Sequence, residues 1–183
     1  DSKKLLFNCS WGPKYHAGRH AEIPRKDITH VVLMYGAGGT GKTTLAKAWD
    51  VQEDELTEER YYRRNPDDGH FWGGGHTAYN GQRILHFEEF TGSEPLSRLK
   101  EVCDIGKQGP SVNIKRGGAV LNHDTVLFTS NVHPADWYGN LWGQDPKQFH
   151  PFWRRVTSVM FFPEKRPDGS LNTPDEENPP YFI

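Results

Sequence analysis

Eight consecutive residues, Gly36-Ala37-Gly38-Gly39-Thr40-Gly41-Lys42-Thr43, satisfy the pattern G-x-x-x-x-G-K-[ST] in full. Glycines in such a loop let backbone N–H groups turn inward around phosphate oxygens, and a helix opening at its end adds the positive end of its dipole. Lys42 is placed to reach β- and γ-phosphates, and the Thr43 hydroxyl to ligate Mg²⁺. The expected nucleotide-binding set is Gly36, Gly38, Gly39, Thr40, Gly41, Lys42, Thr43 and Thr44.

A phosphate loop needs acids to complete it, and Glu88-Glu89 follows the apolar run Ile84-Leu85-His86-Phe87. A carboxylate at the carboxyl end of a strand beside the loop can hold Mg²⁺, and its neighbour can orient or deprotonate an attacking water. Glu88 is assigned the metal and Glu89 the water, although two acids also serve simply to end a strand. Ser130-Asn131 closes the run Val126-Leu127-Phe128-Thr129, and the Asn131 amide suits a γ-phosphate or a lytic water without adding charge. These groups leave three classes open: GTPase, small-molecule kinase and motor. No N-K-x-D guanine reader is present, and Arg60, Arg63 and Arg64 lie too close before a strand to make a good phosphate lid.

The elements around these residues read as α/β. Thr29–Tyr35 is a short apolar run bounded by glycine, hence a buried strand, with a helix from about Thr43 to Trp49. Residues 61–82 are rich in Gly and aromatics and are expected to be irregular, with part forming an edge strand. Leu96, Leu99, Val102 and Cys103 share one face of a helix entered through Ser93-Glu94-Pro95. Val112–Ile114 and Ala119–Leu121 flank Lys115-Arg116-Gly117-Gly118, a hairpin with a basic tip. Val126–Thr129 and Val156–Phe162 complete the strands, and strand–helix alternation predicts a parallel sheet at the centre. Residues 1–28 are polar and irregular, and the tail from Pro163, with its prolines, is expected to be extended or disordered.

Composition narrows the class. Among 183 residues, 34% are hydrophobic and 25% charged, with 19 Gly and 13 Pro, which excludes a coiled coil or a membrane bundle. No stretch approaches 18 apolar residues and the first residues lack a signal-peptide pattern, so no membrane partner is expected. Two cysteines make no disulfide framework. A net charge of −2 argues against bulk attraction to nucleic acid but allows a local basic stripe. Cys9, His16, His20, His70 and His76 lack a fourth partner at zinc spacing. Trp72, Trp137, Trp142 and Trp153 are read as packing.

Six stretches in order, GAGGTGKT, FWGGGHTAYNGQ, ILHFEEFTG, SVNIKRGGAVL, VLFTSNVHPADWY and FWRRVTSVMFF, resemble the superfamily 3 helicase domain of replication-initiator proteins from circoviruses and related circular single-stranded DNA viruses. They cover roughly residues 30–162. One departure is Glu88-Glu89 where the family usually has Asp-Asp; charge is kept and the side chain is one methylene longer. The resemblance implies an AAA+-like P-loop fold, ATP and Mg²⁺ as cofactors, and Mg-dependent ATP hydrolysis coupled to translocation on single-stranded DNA in rolling-circle replication. It implies a homo-oligomeric ring, commonly a hexamer, with ATP between subunits, and a nuclear location in the host. Arg154 or Arg155 becomes the candidate arginine finger, and Lys115 and Arg116 the candidate DNA contacts in a central channel. The family's rolling-circle nuclease motifs do not occur in the chain, which is expected to be the ATPase portion alone or a fragment. Outside the resemblance, the residues also allow a phosphate-loop transferase acting on a small molecule. They equally allow a nucleotide-gated DNA-binding or oligomerisation module with vestigial hydrolysis.

Overall fold

Strands that are apolar on both faces need a packed layer on each, and the crossovers of a parallel sheet supply it. The computed structural model describes residues 30–51, 56–104 and 110–183. In it, β1 (His30–Gly36), β2 (Tyr61–Arg64), β4 (Ile84–Phe87), β7 (Thr125–Ser130) and β8 (Ser158–Phe162) form one sheet in the order β2-β4-β7-β1-β8. Every pairing in it is parallel. Neighbouring side chains on each strand take opposite faces. Val32, Met34, Tyr61, Ile84 and Leu127 pack with Ala46 of α1 (Lys42–Lys47). Leu33, Leu85, Phe87, Val126 and Phe128 meet Leu99 and Val102 of α3 (Leu96–Val102) and Phe149 and Phe152 of α5 (Pro146–Trp153) on the other. Burying one such aromatic or aliphatic side chain stabilises the fold by about 2–3 kcal/mol. Two further short helices, α2 (Thr57–Arg60) and α4 (Leu141–Gln144), precede β2 and α5.

A second sheet stands beside the first in the order β3-β5-β6. The hairpin is β5 (Ser111–Lys115) against β6 (Gly117–Val120), antiparallel, with Ile114 opposite Gly117 and therefore Lys115-Arg116 at the tip. β3 (Phe71–Gly74) runs parallel to β5. Gly74 is required there, because a Cβ would lie 2.7 Å from the Cβ of Lys115.

Three expectations need adjustment. Residues 61–82 are more ordered than their composition suggests: they supply the edge strand β2 and the whole of β3. Arg64 hides β2 from an apolar count because it faces inward, 3% exposed, paired with Glu94 at 3.2 Å and lying over the Trp72 ring at 4.9 Å. The last strand, β8, starts at Ser158 rather than at Val156, and Arg154 and Arg155 close α5. The tail beyond Phe162 contains no regular element apart from an isolated Lys165–Leu171 bridge, yet it is folded back on the domain. Ile183 and Phe161 exchange backbone hydrogen bonds of 2.9 and 3.2 Å, and the Phe182 ring lies 5.4 Å from that of Phe162. Among the described residues no helix is long and apolar enough to cross a membrane. Residues 1–28 lie outside the described residues, as do Cys9, His16 and His20.

Candidate functional site

Gly36 ends β1 so close to β8 that a Cβ would come 2.0 Å from the Phe162 carbonyl oxygen, and φ of +144° adds to the demand for glycine. The loop it opens closes at Gly41, φ +90°, where α1 begins. Inside the loop Lys42 is 7% exposed. Its Nζ donates to the carbonyls of Gly36 at 3.2 Å and Ala37 at 2.5 Å, and to Thr40 Oγ1 at 3.4 Å. Burial lowers the Lys42 pKa. The loop thus holds its cation at its own centre, where a phosphate would replace backbone oxygens as partner.

One residue on, Thr43 Oγ1 donates to Glu88 Oε1 at 3.0 Å. A hydroxyl and a carboxylate held together make an oxygen donor pair of the kind a hard cation such as Mg²⁺ takes. Arg63 on β2 forms an ion pair with the other oxygen of Glu88. Glu89 adopts φ of +50°, in the left-handed region that non-glycine residues seldom occupy. The turn that carries both acids is tied to β7: Phe90 N donates to Thr129 O at 2.9 Å, and Ser130 Oγ donates to Phe90 O at 2.6 Å.

A cavity of about 330 Å³ lies over the loop. Gly38, Gly39, Thr40, Gly41, Lys42, Thr43 and Thr44 line it together with Glu89, Thr129, Ser130 and Asn131. Residues far apart in the chain therefore converge because β4, β7 and β1 run parallel and present their carboxyl ends at the same edge of the sheet. The structure does not bring Arg154 and Arg155 there. They precede β8, whose Ser158 pairs with Val32, whereas the loop follows Gly36. Four strand residues, about 13 Å, separate the two levels. Arg155 is engaged within its own chain, donating to Pro151 O and standing 3.5 Å from Asp104 Oδ1, while Arg154 is exposed. Lys115 and Arg116 are exposed at the hairpin tip, with Arg116 at φ +70°.

Other residues of the site escaped the sequence reading. Thr129 lines the cavity and hydrogen-bonds His86 Nε2 at 2.7 Å, and His86 Nδ1 in turn meets Tyr61 OH. Burial, helped by the nearby positive charges of Arg63 and Lys47, lowers the His86 pKa to about 3, so the ring is neutral. Arg63 gave no usable signal, because its place beside the acidic pair follows from the pairing of β2 with β4. Thr173 and Pro174 also line the cavity, and no pattern marked them.

Residues 32–132, more than half of the chain, match the family described as RNA helicase. The replication-associated protein of Chaetoceros protobacilladnavirus 2 is 66% identical over 183 residues, all of this chain and 38% of that protein. That of Avon-Heathcote Estuary associated kieseladnavirus is 55% identical over 183 residues, with the same shares. That of Goose circovirus is 31% identical over 154 residues, 84% of this chain and 45% of that protein. The chain thus spans about two fifths of the length of the curated relatives it matches.

Proposed function

We infer that this chain, which belongs to the RNA helicase family as a superfamily 3 helicase domain, is the motor of a viral replication-associated protein. It hydrolyses ATP with Mg²⁺ and moves along single-stranded DNA as a homo-oligomeric ring, in the host nucleus. The convergence of the loop, Glu89 and Asn131 on one cavity, with Thr43 bonded to Glu88 beside it, is what supports this reading.

Each residue then has a role set by its position. Loop N–H groups and Lys42 hold the phosphates and stabilise charge gathering on the transferred group. Thr43 and Glu88 hold Mg²⁺, which when bound offsets charge on the β- and γ-oxygens. Glu89, turned into the cavity, orients and deprotonates water, and Asn131 positions the γ-phosphate or that water. Arg154, exposed and a strand's length from its own loop, is the finger offered to the neighbouring subunit; Arg155 supports it from its contacts with Asp104 and Pro151. Lys115 and Arg116 grip DNA phosphates.

Lys42→Ala tests the assignment. Mg-dependent ATP hydrolysis by the full chain should fall ~10²-fold or more, with the circular dichroism spectrum unchanged. Turnover above about a tenth of wild type, less than ~1.4 kcal/mol on the barrier, would contradict it.

A further inference from the structure

The sheet order sets the two ends of the site apart. β1, which delivers the phosphate loop, lies between β7 and β8. Glu88 and Glu89 follow β4 and Asn131 follows β7, so the groups assigned to the terminal phosphate all stand on the β7 side. The chain leaving β8 stands on the other. It returns as a strap that brings Thr173 and Pro174 to the cavity wall. The rings of Pro174 and Pro180 close over Gly41: a Cβ there would lie 2.7 Å from Pro174 Cγ and 2.9 Å from Pro180 Cγ. A triphosphate whose terminal group faces Glu89 and Asn131 directs its remaining part toward this strap.

We propose that Thr173 and Pro174 form the wall against which the ribose and base of the nucleotide rest, so that the strap selects nucleosides while the loop selects phosphates. This rests on the phosphate-loop reading above. The strap is built to hold such a wall in place. Asn172, 2% exposed, donates from Nδ2 to Pro163 O at 2.9 Å and to Tyr181 O at 2.8 Å, and its Oδ1 accepts from Tyr181 N at 3.1 Å. One buried amide thus clamps the outgoing and returning limbs together. Arg166 Nη2 donates to Pro179 O at 3.3 Å, and the Ile183–Phe161 backbone pair fixes the far end. A wall ordered in advance spends little binding energy on its own ordering. Proline rings present an apolar face and no N–H to read a base edge, which suits a planar base of any identity. Thr173 supplies the hydroxyl on that wall.

Two ligands separate the wall from the loop: Mg-ATP, and inorganic tripolyphosphate with Mg²⁺, which has the phosphates and no nucleoside. Two variants of the full chain are compared with wild type by calorimetry. Asn172→Ala releases the clamp; Thr173→Ala with Pro174→Ala keeps it and strips the wall. Both variants should weaken ATP about fivefold or more while tripolyphosphate affinity stays within about twofold. Equal losses for both ligands would show that the strap merely supports the loop, and tighter tripolyphosphate binding would make it a cover; either result, or no change, overturns the proposal. Wild-type protein that binds neither ligand would instead overturn the phosphate-loop reading, and this proposal with it.

Discussion

Glu88 and Glu89 are adjacent carboxylates in different surroundings, and the proposed division of their roles rests on that difference. Glu88 accepts from Thr43 and pairs with Arg63. Glu89, in left-handed backbone conformation, lines the cavity. Glu89→Gln keeps the shape and removes the charge, so hydrolysis should fall at least ~10²-fold while nucleotide and Mg²⁺ binding survive. A fluorescent nucleotide titrated with Mg²⁺ checks it, and collapse of metal affinity would exchange the two roles. His86 makes a second prediction. Its folded pKa of about 3 lies below the ordinary 6.5, so between those values the unfolded chain takes up a proton that the folded chain refuses. Stability is therefore lost as pH falls from about 6.5 toward 3, by roughly 2 kcal/mol at pH 5. Denaturant melts at pH 7 and pH 5 should show that loss in wild type and not in His86→Gln; parallel pH dependences would contradict it. Residue identities legible beforehand were those inside a motif with fixed spacing. Arg63, Thr129 and His86 were not, because their roles depend on which strands become neighbours.

At the scale of elements, apolar runs announced β1, β4, β7 and β8, and flanking alternation announced the hairpin. β2 stayed obscure because its inward Arg64 is neutralised by Glu94, a partner thirty residues on. The strap left no periodic trace, since side-chain amides and carboxylates such as Asn172, Asp168 and Asp175 satisfy its backbone. The hairpin tip carries its own prediction. With a chain net charge of −2, attraction to DNA must be local. Lys115→Ala with Arg116→Ala should flatten the log–log salt dependence of single-stranded DNA binding by about 0.7 for each DNA phosphate no longer neutralised. Fluorescence anisotropy across a salt series measures it. An unchanged slope would remove the hairpin from the DNA path.

At the scale of the whole molecule, the proposed finger and the phosphate loop lie at opposite ends of the sheet. Arg154 lies before the amino end of β8 and the phosphate loop follows the carboxyl end of β1, so the proposed finger would serve the loop of another copy rather than its own. In the proposed head-to-tail ring the two would meet between neighbouring copies, and the basic hairpin tips would gather around one axis. This polarity was not legible from FWRR as a motif; it follows from the parallel pairing of β8 with β1. The direct measurement is steady-state ATP hydrolysis, with single-stranded DNA present, by Arg154→Ala and Lys42→Ala proteins alone and mixed one to one. Each alone should be inactive. The mixture should recover up to about a quarter of wild-type activity, the fraction of interfaces that join an intact loop to an intact finger when copies assemble at random. No recovery in subunits shown to exchange would contradict a site for ATP hydrolysis shared around a ring.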